Sequence, residues 1–108
     1  KALLDAARDG KTVDVAKYLK YGANVNQQDS KGGWCALWHA AGRGDVETVA
    51  VILEQRSGPV DLHLKSNRNG RTPLAVARFN SNDTSYSEAR RMRFRQIVKM
   101  MQNAGATH

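Results

Sequence analysis

The sequence predicts an all-α fold built of repeated helix pairs. Three features predict it: a short apolar motif recurs at near-constant spacing, an amphipathic stretch follows each copy, and glycines punctuate the pairs. Leu3-Leu4-Asp5-Ala6-Ala7 returns 34 residues on as Leu37-Trp38-His39-Ala40-Ala41, and 37 residues later as Leu74-Ala75-Val76-Ala77-Arg78. The intervals divide the single domain into units at about 1–28, 29–65 and 66–108.

In the first unit, Leu3 to Ala7 forms the first helix and Gly10 allows a tight turn. A second helix, Thr12 to Tyr21, puts Val15, Tyr18 and Leu19 on one face, and Gly22 suits a left-handed C-cap. The middle unit repeats this with Leu37 to Ala41, a turn at Gly44, and Val46 to Glu54, whose face carries Val46, Val49, Ile52 and Leu53. Asp45 is placed to cap that second helix. Gly58-Pro59 marks a loop within Gln55 to Asp61. In the third unit Thr72 caps and Pro73 takes the first helical position. Asn80 to Ser85 is polar and without apolar periodicity, and reads as a loop. Ser85 and Glu88 have capping-box spacing, so the last helix is expected from near Tyr86 to Asn103. Its face carries Phe94, Ile97, Val98 and Met101, and it should overhang its neighbours by about two or three turns.

Composition narrows the function classes. No apolar run approaches the roughly 18 residues of a membrane span. One cysteine, Cys35, cannot form an internal disulfide, which favours an intracellular setting, cytoplasmic or nuclear. The net charge of +7 makes acidic partners plausible without saying anything of the fold. The chain opens at Lys1 with neither Met nor a signal-peptide pattern, as expected of a piece of something longer.

Gly70-Arg71-Thr72-Pro73-Leu74 resembles the G-x-T-P-L signature of the ankyrin repeat, and Ala40 to Val49 is similar to its A-A-x-x-G-H-L-E-V-V segment. Gly22 to Asn26 matches its G-A-x-V-N close. The resemblance covers nearly the whole chain and implies an ankyrin-type solenoid of stacked antiparallel helix pairs, with short hairpin loops projecting from one edge. The chain departs from the pattern in two places. Cys35-Ala36-Leu37-Trp38 stands where the family prefers T-P-L-H, so the middle helix lacks a capping hydroxyl, a weakening of about 1 kcal/mol. Trp38 there reads as a packing replacement for the histidine that ties down the neighbouring loop. The stretch between the helices of the third unit is about a dozen residues longer than the family's turn. Gln102, where the family prefers an apolar residue, suits a terminal surface.

No constellation suggests catalysis, a cofactor or a metal. His39, His63 and His108 lie on a helix, in a loop and at the terminus, and nothing brings two of them to ligand spacing. Cys35 and His39, four apart, read as a buried thiol beside a solvent-facing imidazole. Gly32-Gly33 and Gly42 to Gly44 occupy turn positions and are followed by no Lys-Ser or Lys-Thr pair, unlike a phosphate loop.

The resemblance implies a non-catalytic protein-interaction module, monomeric as an isolated domain, that binds another protein through hairpin tips and the exposed face of the first helices. Those positions are Lys31, Trp34, His39 and Arg43 in the middle unit and Arg68, Asn69 and Arg71 in the third. Trp34 is of hot-spot type, or else folds over Trp38 to cover the helix start. A second reading makes the last helix, with Arg90, Arg91, Arg93 and Arg95, a basic patch for nucleic acid or another polyanion; the same run also suits a solvated outer face. A third makes the chain a regulatory segment of a larger enzyme.

Overall fold

The computed structural model describes residues 2–55, 59–67 and 69–107. Six helices follow one another: α1 Ala2–Arg8, α2 Thr12–Lys20, α3 Ala36–Arg43, α4 Val46–Glu54, α5 Pro73–Ser81 and α6 Glu88–Asn103, with no strand among the described residues. Each pair closes on itself, α1 on α2, α3 on α4 and α5 on α6. The first helices then stack in the row α1–α3–α5, and the second helices in the row α2–α4–α6. This is the expected solenoid, 38 Å along its longest axis.

The repeated motif explains the stacking. Leu3, Leu37 and Leu74 are buried at equivalent positions, and Ala6, Ala7, Ala40, Ala41 and Ala77 let neighbouring first helices approach closely. Val15 and Leu19, Val49 and Ile52, then Phe94, Ile97 and Met101 supply the stripe of the second row. Complete burial of each such side chain stabilises by about 1.5–3 kcal/mol.

The helix ends follow the sequence closely. Asp45 Oδ1 accepts from Thr48 N at 3.2 Å, and Thr72 Oγ1 accepts from Ala75 N at 3.2 Å. The cap at Asp45 extends inward: the wholly buried Thr48 donates its hydroxyl to Asp45 Oδ2 at 2.7 Å and lies 2.8 Å from the hydroxyl of Thr12. With the Thr48 proton committed to the carboxylate, Thr12 is the donor between the two hydroxyls, which links the starts of α2 and α4. Gly44 takes φ 75°, where a side chain is strained, and a Cβ there would also meet the Phe94 ring at 3.3 Å.

Three expectations need correction. The middle helix start is not bare, because Cys35 Sγ accepts from Trp38 N at 3.4 Å, a weaker acceptor in the place of the hydroxyl. The stretch Asn80 to Ser85 is not all loop. Asn80 and Ser81 form the buried end of α5, and only residues 82–87 join it to α6. The extra length of this unit goes largely into α6, 16 residues against 9 in α2 and α4. Finally α6 begins at Glu88 and not near Tyr86. Ser87 is its cap, accepting from Arg90 N at 3.2 Å, while Asp83 Oδ1 captures Ser85 through both its N–H at 2.9 Å and its hydroxyl at 2.7 Å. The first buried residue of α6 is Phe94, so its opening turns do overhang.

Candidate functional site

The loops between units form one edge of the stack. Asp29 N donates to Trp34 O and, 37 residues on, Ser66 N donates to Arg71 O, both at 3.0 Å, closing equivalent hairpins. Asn67 N reaches Gly32 O at 2.6 Å, tying one tip to the next. Gln28 Nε2 bridges them again through Gly33 O at 2.8 Å and Lys65 O at 3.0 Å. Deeper in, Asn26 clamps the segment beyond α4, donating to Pro59 O at 3.0 Å and accepting from Asp61 N at 2.7 Å. The tips are therefore braced rather than independent.

Between this edge and the first helices lies a cleft of about 570 Å³, lined chiefly by Asp5 and Arg8 of α1, His39 of α3, and Asp29, Ser30 and Lys31 of the hairpin. His39 is not solvent-facing as the sequence suggested. Its side chain is 11% exposed, Nε2 lies 3.7 Å from Asp29 Oδ2, and the rings of Trp34 and Trp38 stand edge-on at 5.9 and 6.1 Å. Burial pushes the imidazole below its ordinary pKa, against the pull of Asp29. For Asp29 burial acts upward, but N–H groups of Gly32 and Trp34 at 2.9 and 3.3 Å, with His39, outweigh it and hold the carboxyl below its usual range.

The other expected contact residues divide. Lys31 is exposed on the cleft rim. Trp34 folds over Trp38, ring centroids 5.3 Å apart and 28° from parallel, as the covering role requires. Trp38 Nε1 donates to Arg71 O at 3.2 Å, so the tryptophan keeps the tie to the next loop that its position normally supplies. Arg43 reaches back to Arg8 O at 3.0 Å, closing the end of α1, and Asn80 does the same at the equivalent place in the next unit, donating to Gly42 O at 3.3 Å. Asn69 is exposed, and its Oδ1 accepts from Arg71 N at 3.0 Å. The guanidinium of Arg71 lies over the Phe79 ring, 4.2 Å from its centre. Arg68 lies outside the described residues. Sequence reasoning missed Asp5, Arg8, Asp29 and Phe79; the register of Asp5 with His39 and of Arg8 with Gly42 and Phe79 could have found three of them.

The basic helix presents no single face. Arg90 shares the stripe of Phe94, Ile97 and Met101 but stands beyond the stack, its guanidinium 4.8 Å from the centre of the Tyr86 ring. Arg95 lies opposite, in register with Met92 and Lys99, while Arg91 and Arg93 flank the buried stripe.

His63 accepts from Thr107 N at 3.2 Å, and burial raises the pKa of the Cys35 thiol, which makes it a poor nucleophile. Among the described residues no three of the His, Cys, Asp and Glu side chains gather as a metal site, and no helix is long and apolar enough to cross a membrane.

The family description Ankyrin repeats (3 copies) matches residues 3–87. Over 54 residues, 49% of the chain, it is 41% identical to Ankyrin repeat protein nuc-2 of Neurospora crassa. Over 76 residues, 69% of the chain, it is 36% identical to the 2-5A-dependent ribonuclease of Homo sapiens. The matched stretches span 5% and 10% of these curated relatives.

Proposed function

Because the chain belongs to the ankyrin repeat family, whose arrays are generally protein-interaction modules, we propose that it is a non-catalytic module that holds another protein in the cleft between its hairpin edge and its first helices. The observation that carries the reading is the cleft itself. Asp5, Arg8, Asp29, Lys31 and His39 converge on it from α1, α3 and the hairpin between units. Ionisable groups of both signs on rigid supports suit an extended polar segment, recognised by hydrogen bonds and charge. An intracellular setting fits a chain with one buried thiol.

The test is affinity capture on the immobilised chain at two salt concentrations, with mass spectrometry of what is retained. Ser30→Tyr with Lys31→Glu fills the cleft mouth and reverses its charge; bound partners are lost while the helical circular dichroism stays. Capture unchanged by the double variant would overturn the placement.

A second reading, that the array is a regulatory or targeting part of a larger enzyme, is supported by a relative named as a ribonuclease, of which the match covers 10%. Sequencing the parent transcript tests it: an adjoining catalytic domain supports it, and a reading frame confined to repeats overturns it.

A further inference from the structure

We infer that the third unit carries a second docking point, Arg71 laid on Phe79, that takes a carboxylate and an adjoining apolar side chain from an extended acidic segment of a partner protein. This rests on the interaction-module reading and adds the partner's chemistry, at a part of the first-helix row that does not line the cleft.

Three observations carry it. The first is register. Arg8, Gly42 and Phe79 occupy equivalent places at the ends of α1, α3 and α5, so the fold accepts a cation, a glycine or a ring there, and stacking does not require an aromatic. Yet Phe79 is 53% exposed, a large apolar surface left in water.

The second is geometry. Cζ of Arg71 lies over the ring, 4.2 Å from its centre, and its guanidinium carries the N–H fork that matches a carboxylate. The arginine backbone is fixed on both sides. Its carbonyl accepts from Ser66 N at 3.0 Å and Trp38 Nε1 at 3.2 Å, and its N–H donates to Asn69 Oδ1 at 3.0 Å. Little ordering remains to be done when a ligand arrives.

The third is charge. No described carboxylate pairs with Arg71, α5 carries no acidic residue, and Arg78 is its one charged side chain. Two carboxylates on the row of first helices and its hairpins, Asp5 and Asp29, are engaged at the other end, with Arg8 at 3.4 Å and His39 at 3.7 Å. The complement of an arginine that lies over a ring with no described carboxylate paired to it, on a chain of net charge +7, is an acidic residue next to an apolar one that covers the ring.

The test is selection of random dodecapeptides displayed on phage against the full chain, followed by affinity measurement on the winners. Asp or Glu beside an apolar residue should be enriched, and affinity should fall about tenfold or more in Arg71→Gln and in Phe79→Ala. Arg95→Gln, which removes the same charge from the outer stripe of α6, should leave it within about twofold. Equal losses in Arg71→Gln and Arg95→Gln would mean long-range charge alone and overturn the proposal. So would winners without acidic residues, or stronger retention of an oligothymidine probe than of any peptide. If winners bind but respond only to the Ser30→Tyr/Lys31→Glu variant, the cleft stands and this docking point falls. If no peptide binds, both fall.

Discussion

His39 illustrates how far a single side chain can be read from sequence. Its place on the repeated motif was visible; its burial was not, because the burying groups come from Asp29, Trp34 and Trp38, brought together by the hairpin and the helix start. The same holds for Trp34, where sequence offered covering and contact as equals and the stacking on Trp38 at 5.3 Å depends on a hairpin that pattern does not show. The buried imidazole has a consequence for stability. Unfolded, it takes up a proton around its ordinary value of 6.5; folded, it does so only at lower pH. In the interval between, unfolding gains a proton, so stability falls as the pH drops through that interval and levels off once both states are protonated. Urea titrations at pH values descending from 7.5 should show the midpoint falling through the histidine range, and His39→Asn should remove that part of the slope. A slope identical in the variant would show that His39 is not its source. Loss from Asp29, whose carboxyl is depressed, belongs to a lower window and should persist in both.

Among the helices, the clearest divergence from sequence lies in α6. Periodicity showed the buried stripe of Phe94, Ile97 and Met101 because a helix face is a local property. It misplaced the start because two serines compete, and the loop carboxylate of Asp83 settles which is free to cap. The capping-box spacing showed that the last helix would be long, and α6 at 16 residues against 9 in α2 and α4 takes up more of the added length than the connection 82–87 does. Ser87→Ala should therefore destabilise by about 1 kcal/mol, and Ser85→Ala by only a few tenths, in chemical denaturation. Ile97→Ala, in the wholly buried part, should lose about 2–4 kcal/mol, while Met92→Ala, 57% exposed, should lose under about 0.5. Equal losses at Ser85 and Ser87 would mean that the cap is shared.

The whole molecule is legible where it repeats and silent where units meet. The intervals of 34 and 37 residues specified which helices stack, and the wholly buried Leu37 and Leu74 occupy matching places. The links between units, Thr12 to Thr48, Arg43 to Arg8, Asn80 to Gly42 and Gln28 to Lys65, join residues 35 to 38 apart, a distance at which sequence pattern carries no pairing information. Those links and the shared apolar strip make stability a property of the stack, because each pair leaves one flank bare unless a neighbour covers it. The middle unit is covered on both sides, with α3 between α1 and α5 and α4 between α2 and α6. Ending the chain after residue 65 strips α3 and α4 of α5 and α6, removes the Trp38 tie to Arg71, and leaves a tandem below the about three units such arrays need. The shortened chain should lose its cooperative thermal transition and most of its helical circular dichroism at 25 °C. A sharp transition retained by residues 1–65 would show that the first two units fold without the third, and the stabilising role assigned here to Phe94, Ile97 and Met101 would then be confined to α6 itself.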